Sequence, residues 1–299
     1  MMLNNTPRRL PLPVGALVRG SLEFENHEDV RRAIDHGLFY LKYPAGVDFA
    51  PGVRFATNYY LDDEEGSDPY RCYHQRQLSG TRLGYSDPSD DQVELFQLEA
   101  NLWARHLPSA VSDMLWDMNR IAKIALYAMF DFCEVPESDR DKVAEGLSRD
   151  EALQYCLFNH YRSGRSRSPG FTAHKDSGFI TLLHTTEEGL ETLDEGTWLD
   201  VPPLPGFFTV VLGHSFEILT AKREPRVNAS YHRVREVLHS KSNRPDRYSF
   251  GVYIGPKFEQ DLFEYSACGV LQRHMSFMEF QRQKAAQMGY EFHPLLDVS

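Results

Sequence analysis

The sequence predicts a mixed α and β protein in which a run of short strands is flanked by helices on both sides. Three observations carry that reading. Between residues 154 and 256, short apolar runs are separated by Pro and Gly, the pattern of a sandwich or barrel. Over 109–133, Val111, Leu115, Met118, Ile121, Ala122, Ala125 and Met129 recur every three to four positions, which is helical spacing. Residues 277–288 read as a second, terminal helix. The 299 residues, 41% hydrophobic and 25% charged, have the composition of a globular protein and read as one unit. That unit divides into an N-terminal, mostly helical region (1–150), a strand-rich core (151–256) and a C-terminal helical closure (257–299).

Residues 1–20 contain Pro7, Pro11 and Pro13 and read as an extended surface arm. Asn26, His27, Glu28 and Asp29 offer a cap for a helix running through Ile34, with His36 as a C-terminal cation, Gly37 as punctuation and 38–41 as a strand. Residues 50–91 lack a sustained period and read as a short helix followed by loops; loops that long usually have a function. Arg82 and Tyr85 in this region are candidates to reach a substrate, with a surface ion pair and a packed tyrosine as the alternatives. His74 and His106 have no acidic or histidine neighbour at metal-ligand spacing. The 109–133 helix should back the sheet, and a short helix over 149–153 leads into the first core strand at 154–159. Further strands are predicted over 179–184, 197–201, 207–212, 216–219, 230–234 and 248–254, before 257–299 returns to helix.

Lys and Arg number 32 against 43 Asp and Glu, a net charge of −11, which disfavours non-specific binding to nucleic acid or anionic membranes. No stretch approaches the ~20 apolar residues needed to span a bilayer. Arg162, Arg165 and Arg167 form a local basic run that reads as a solvated loop or as a small patch. Cys72, Cys133, Cys156 and Cys268 are widely separated and form no CxxC pair, and residues 1–20 hold no continuous apolar segment; a cytoplasmic home is expected. The expected partner is a small molecule, and oligomeric state is not legible.

The chemistry-bearing stretch runs from Asn159 to Phe250. On an extended strand, i and i+2 side chains share a face, so His174 and Asp176 can reach a common point while Lys175 points away. With His232 from a distant strand they make a two-imidazole, one-carboxylate metal site with open positions, the donor set of non-heme Fe(II) oxygenases. Taken alone, His-x-Asp with a later His is a weak pattern among 12 histidines. Arg247 and Ser249 repeat the spacing and set a guanidinium fork beside a hydroxyl, a receptor for a carboxylate.

These residues, with Asn159-x-Tyr161, His174-x-Asp176-Ser177-Gly178, the 189–193 segment with Trp198, the 201–206 segment, Gly213-His214, His232-Arg233-Val234 and Arg247-x-Ser249, stand in the order seen in a known family. The chain resembles the 2-oxoglutarate/Fe(II)-dependent oxygenases, in particular the isopenicillin N synthase-like branch. The resemblance implies a double-stranded β-helix (jelly-roll) core with N-terminal and C-terminal helices packed on it. It implies Fe(II) held by His174, Asp176 and His232, 2-oxoglutarate anchored by Arg247 and Ser249 with Asn159 and Tyr161 near its iron-bound end, and O2 as the second cosubstrate. The implied reaction releases succinate and CO2 while hydroxylating, desaturating or oxidatively cyclising a small molecule: a specialised metabolite, an amino acid or a peptide. Arg82, Tyr85 and Arg162 are the candidate substrate contacts. Asp176 separates the chain from related halogenases, where a small residue stands there. Three features depart from the family pattern: His214 in place of Asp, Arg162 in place of Pro, and a longer connection from Thr220 to His232. His184 reads as structural. A 2-oxoglutarate-independent Fe(II) oxidase or cyclase and a non-catalytic carboxylate-binding barrel are the competing readings.

Overall fold

A computed structural model describes residues 8–88, 90–147, 152–163, 167–236 and 246–288. Strands β1 (Val14–Val18) and β2 (Ser21–Phe24) form a hairpin around Arg19 and Gly20, whose φ values of 51° and 84° suit a two-residue turn. Helix α1 (His27–His36) follows, capped where the Asn26 side chain accepts a hydrogen bond from the Asp29 amide at 3.0 Å. It ends at Gly37, whose φ of 64° is left-handed. Then come β3 (Leu38–Lys42), α2 (Ala50–Ala56), β4 (Gly84–Ser86), β5 (Val93–Glu99), α3 (Trp103–His106), α4 (Ser109–Phe132) and α5 (Glu137–Val143). The core continues through β6 (Leu153–Tyr161), β7 (Phe171–His174), β8 (Ile180–Thr185), β9 (Leu190–Asp194), β10 (Thr197–Asp200), β11 (Phe207–Leu212), α6 (His214–Thr220), β12 (His232–Val234) and β13 (Arg247–Gly255). A hairpin of β14 (Asp261–Tyr265) and β15 (Leu271–Ser276) leads into α7 (Phe277–Met288).

Among the described residues, nine strands form one sheet in the order β2-β1-β3-β11-β8-β13-β6-β5-β4, and four form a second in the order β10-β9-β12-β7. The two sheets are the double-stranded β-helix, with helices packed outside it. Alternation sorts the long central strands. On β13, Phe250, Val252 and Ile254 join the main apolar core, while Arg247, Ser249 and Tyr253 face the space between the sheets. The 24-residue α4 packs on the first of these faces, burying Val111, Leu115, Met118, Ile121, Ala122, Ala125 and Met129 as its periodicity requires. Each large side chain buried there contributes roughly 1.5–3 kcal/mol, which outweighs any helix propensity in holding α4 to the sheet. Leu38, Leu190, Val211 and Val234 form a smaller cluster between the sheets.

Several expectations are corrected. The N-terminal arm is not a surface tail throughout: its prolines precede β1, leaving 14–18 free to pair with β2 and, in parallel, with β3. The region expected to be mostly helical supplies five strands of the large sheet; β3 lies where a strand is expected over 38–41, whereas β1, β2, β4 and β5 fall where none is expected. The strand expected over 216–219 is helix α6, since a four-residue apolar run does not distinguish a strand from a buried helix. Residues 257–276 hold the β14–β15 hairpin where helix was expected. Most of the short helix expected over 149–153 lies outside the described residues, and Leu153 already belongs to β6. Among the described residues, no helix is long and apolar enough to cross a membrane.

Gly37 offers a test of how α1 is joined to the core. Any Cβ there would collide with the Asn228 carbonyl oxygen, and the left-handed backbone adds its own penalty. Gly37→Ala should lose about 2–4 kcal/mol of stability in urea unfolding.

Candidate active site

His174 is the last residue of β7, and Asp176 follows two positions later, just past the strand end. In the antiparallel register His232 of β12 stands directly opposite His174, which places the third ligand without help from sequence proximity. His174 Nε2 lies 3.4 Å and His232 Nε2 lies 3.8 Å from Asp176 Oδ1. One candidate ligand atom from each residue falls within 4.8 Å of the other two. Backbone carbonyls fix the imidazole tautomers: Nδ1 of His174 donates to Thr172 O at 2.7 Å and Nδ1 of His232 to Ser230 O at 3.2 Å. A carbonyl can only accept, so both Nε2 lone pairs face the site. Asp176 Oδ2 accepts from Thr181 Oγ1 at 2.6 Å. Burial works to raise the Asp176 carboxyl, but the neighbouring His174 and His232 imidazoles and the Thr181 hydroxyl together hold it well below the usual range. Burial, aided by His174, pushes His232 down to about 4. A neutral imidazole and an ionised carboxylate are the ligating forms, so the donor set fits Fe(II).

The second constellation lies on paired strands. Arg247 of β13 stands opposite Tyr161 of β6, and Ser249 opposite Asn159. Asn159 Nδ2 donates to Ser249 Oγ at 3.3 Å, and the Arg247 guanidinium lies 4.6 Å from the Tyr161 ring centre. Arg247 is 3% exposed and donates from Nε to Glu188 O at 3.0 Å. Its Nη1 and Nη2, and Asn159 Oδ1, have no hydrogen-bond partner among the described residues. An unpaired buried guanidinium is costly, and a carboxylate placed before it would remove that cost. Gly189, at φ 126°, is where backbone passes close to this side chain: a Cβ there would lie 3.3 Å from Arg247 Nε.

Both constellations line one cavity of about 170 Å³ between the sheets. Its other walls include Leu95, Gln97, Tyr155, Leu157 and Tyr253 from the large sheet and Phe171 and Leu190 from the small one. Helix α7 completes it. Gln281 Nε2 donates to Ser177 Oγ at 3.0 Å, Lys284 Nζ donates to the Lys175 carbonyl, and Tyr253 OH lies 3.0 Å from Ser177 Oγ. Burial pushes the Lys284 amine down to about 8. Sequence reasoning missed Lys284 and Gln281. A pointer was present: Phe277, Phe280 and Lys284 follow the i, i+3, i+7 spacing of one helix face.

The remaining singled-out residues stand away from this cavity. Arg82 pairs with Glu259 beside a separate depression lined by Glu99 and Lys257. Tyr85 donates to Glu94, and Arg162 reaches the same carboxylate from Nε at 2.8 Å and Nη2 at 2.6 Å. Arg162 departs from the Tyr161 side of β6 by one residue, so the pleat sends it to the outer face. There Glu94, fully buried, also meets His160, whose other nitrogen lies 2.7 Å from Asp246 Oδ2. The His160 ring is stacked between Tyr60 and Tyr248 at 3.7 and 4.9 Å. Of the basic run, Arg167 pairs with Asp87 at 2.9 Å, and Arg165 lies outside the described residues. His184 packs on Phe250 at 4.5 Å, and burial pushes it down to about 4, the structural role expected. His214 opens α6 with Nε2 3.5 Å from Glu217 Oε2, outside the cavity. In the connection from Thr220 to His232, Val227 is fully buried and its amide donates to Thr220 Oγ1, so that segment is packed into the fold.

A double-stranded β-helix with two imidazoles and a carboxylate at its mouth is the framework of a non-heme metal protein. Residues 153–256 match the 2OG-Fe(II) oxygenase superfamily. The "2-oxoglutarate-dependent dioxygenase 19" of Oryza sativa subsp. japonica is 33% identical over 121 residues, 38% of this chain and 33% of that protein. The "Gibberellin 2-beta-dioxygenase 3" of Arabidopsis thaliana is 26% identical over 247 residues, covering 76% of this chain and 68% of its own. The structure of dioxygenase for auxin oxidation 1 from Arabidopsis thaliana, a binary complex with 2-oxoglutarate, superimposes with a TM-score of 0.60 at 21% identity, covering 85% of this chain and 96% of that one. The match thus spans only about a third of the rice relative's length. Over its strand-rich core, residues 153–256, the chain is similar to the 2-oxoglutarate/Fe(II) oxygenases. Fe(II) and 2-oxoglutarate are the cofactors of that superfamily, and the residues present fit both.

Two outcomes are expected. Asp176→Ala should weaken Fe(II) binding at least about a hundredfold in anaerobic calorimetry, because it removes the only carboxylate of the triad. Glu94 and Asp246 bear on acid stability. Burial would raise both carboxyls, but His160 with Tyr85 and Arg162 at Glu94, and His160 with Ser163 at Asp246, outweigh it and hold them low. Carboxyls lower in the folded than the unfolded chain add stability above about pH 4 that is lost as pH falls through the folded values. Glu94→Gln should therefore flatten the acid limb of a pH series of urea melts.

Proposed function

We propose that the protein is a 2-oxoglutarate-dependent Fe(II) dioxygenase acting on a small molecule in the cavity between the sheets. One observation carries this reading: a buried arginine with two unpartnered Nη groups shares a cavity with a His/Asp/His cluster. His174, Asp176 and His232 would hold the metal from one side. Arg247 and Ser249 would receive the distal carboxylate of 2-oxoglutarate, with Asn159 and Tyr161 lining its path. When bound, iron and 2-oxoglutarate supply the oxidation of a C–H bond by O2, with release of succinate and CO2. The protein's own contribution is position and exclusion of water. Leu95, Leu157, Leu183 and Val211 keep the cavity apolar around those polar groups, which strengthens each charge-assisted contact. Thr181 and the two backbone carbonyls hold the ligands in orientation. Asp176 would supply the carboxylate ligand that a halogenase lacks, which supports hydroxylation, desaturation or oxidative cyclisation.

A relative named for gibberellin supports a small-molecule substrate, and a similar structure solved with 2-oxoglutarate supports the cosubstrate. Four free cysteines fit a reducing compartment such as the cytoplasm. Anaerobic addition of Fe(II) and then 2-oxoglutarate should produce a visible absorption band. Arg247→Ala should weaken 2-oxoglutarate binding by about 10- to 100-fold, the loss of a buried charge-assisted pair. A band that ignores this substitution, or turnover in air without stoichiometric succinate, would sink the reading in favour of a 2-oxoglutarate-independent oxidase.

A further inference from the structure

We infer that Lys284 binds the substrate, and that the substrate is an acid presenting one carboxylate to it. This inference rests on the functional reading above. Four side chains that line the cavity carry a formal charge: Asp176, Arg233, Arg247 and Lys284. Arg233 is committed elsewhere, with Nε 2.7 Å from Glu191 Oε2 and its guanidinium 4.1 Å from the Trp198 ring. Asp176, Arg247 and the two cofactors balance: the ferrous ion and Arg247 carry three positive charges, and Asp176 with the two carboxylates of 2-oxoglutarate carries three negative. Lys284 is left over. An ammonium has three donors, and among the described residues the hydrogen-bond partner of this one is the neutral Lys175 carbonyl. The carboxylate nearest in influence, Asp176, already has Thr181 on one oxygen and the two imidazoles at the other.

Position separates Lys284 from the cosubstrate receptor. Arg247 and Tyr253 lie six residues apart on β13, about 20 Å along the strand. Arg247 is fixed at one end by Glu188 and Tyr161, whereas Lys284 arrives at the other, where Tyr253 meets Ser177. Gln281 and Lys284, one helical turn apart, grip Ser177 and Lys175 on either side of Asp176. The ammonium is thereby held in register with the metal ligand. Tyr155 stacks on Tyr253 at 4.2 Å, and Leu157 adjoins it in the wall, giving the organic body of an acid an apolar surface. An amide of the same shape would keep that surface and lose the charge-assisted bond.

The test uses the full chain, loaded anaerobically with Fe(II) and saturating 2-oxoglutarate, and probes hexanoate and phenylacetate against hexanamide and phenylacetamide. Binding is read by calorimetry and by perturbation of the absorption band. If no band forms in the unmodified protein, the cofactor assignment fails first. With the band present, each acid should bind about tenfold or more tightly than its amide. Lys284→Gln should abolish that preference without changing 2-oxoglutarate affinity, and Lys284→Arg should keep it. Equal affinity for acid and amide, failure of both acids to bind while the band is intact, or a preference that survives Lys284→Gln would overturn the proposal. So would loss of 2-oxoglutarate binding in Lys284→Gln, which would assign the lysine to the cosubstrate.

Discussion

The antiparallel pairing of β13 with β6 on one side and β8 on the other is the constraint on which the rest depends. Its register puts Arg247 across from Tyr161 and Ser249 across from Asn159, and its pleat sends Phe250 and Val252 the other way, into the core under α4. A slip of one residue would exchange the faces, burying a guanidinium in the apolar core and turning phenylalanine into the cavity. The large sheet therefore needs no separate device to turn Arg247 and Ser249 into the cavity. Packing α4 on one face settles what the opposite face presents.

The small sheet supplies the other half by a cross-strand pair. His174 and His232 are 58 positions apart in sequence, yet they are direct partners in the β7–β12 ladder. Their ring centres lie 4.6 Å apart, a distance the strand spacing imposes. Asp176 reaches the same point because the chain leaves β7 at once and turns back toward Thr181 on β8. The site thus spans both sheets, and each sheet brings a different chemical function to it.

Two buried charged groups show opposite treatment. Glu94, on the outer face, is saturated by His160, Tyr85 and Arg162, and this network ties β5, β6 and the segment before β13 together. Arg247, on the inner face, keeps both Nη groups without partners among the described residues. A fully satisfied charge contributes to the fold, whereas an unsatisfied one at comparable depth marks a place built for a ligand. That contrast explains why Arg162 and Tyr85, chosen from the sequence as substrate contacts, sit in the first kind of setting and outside the cavity.

Residue spacing by itself determined much about this protein. Period two carried Arg247 with Ser249, period three to four carried α4, and Asn26 with Gly37 bounded α1, because each of these follows from local backbone geometry. Tertiary structure alone decided the rest. Strands β1 and β2 and the helix α6 depend on which neighbour each apolar run finds, and four or five residues do not encode that choice. Arg82 went to a surface pair with Glu259, and Lys284 entered the cavity from the end of the chain. A charged side chain reads the same in sequence whether it meets water, a counter-ion or a cavity; only the fold places it in one of the three.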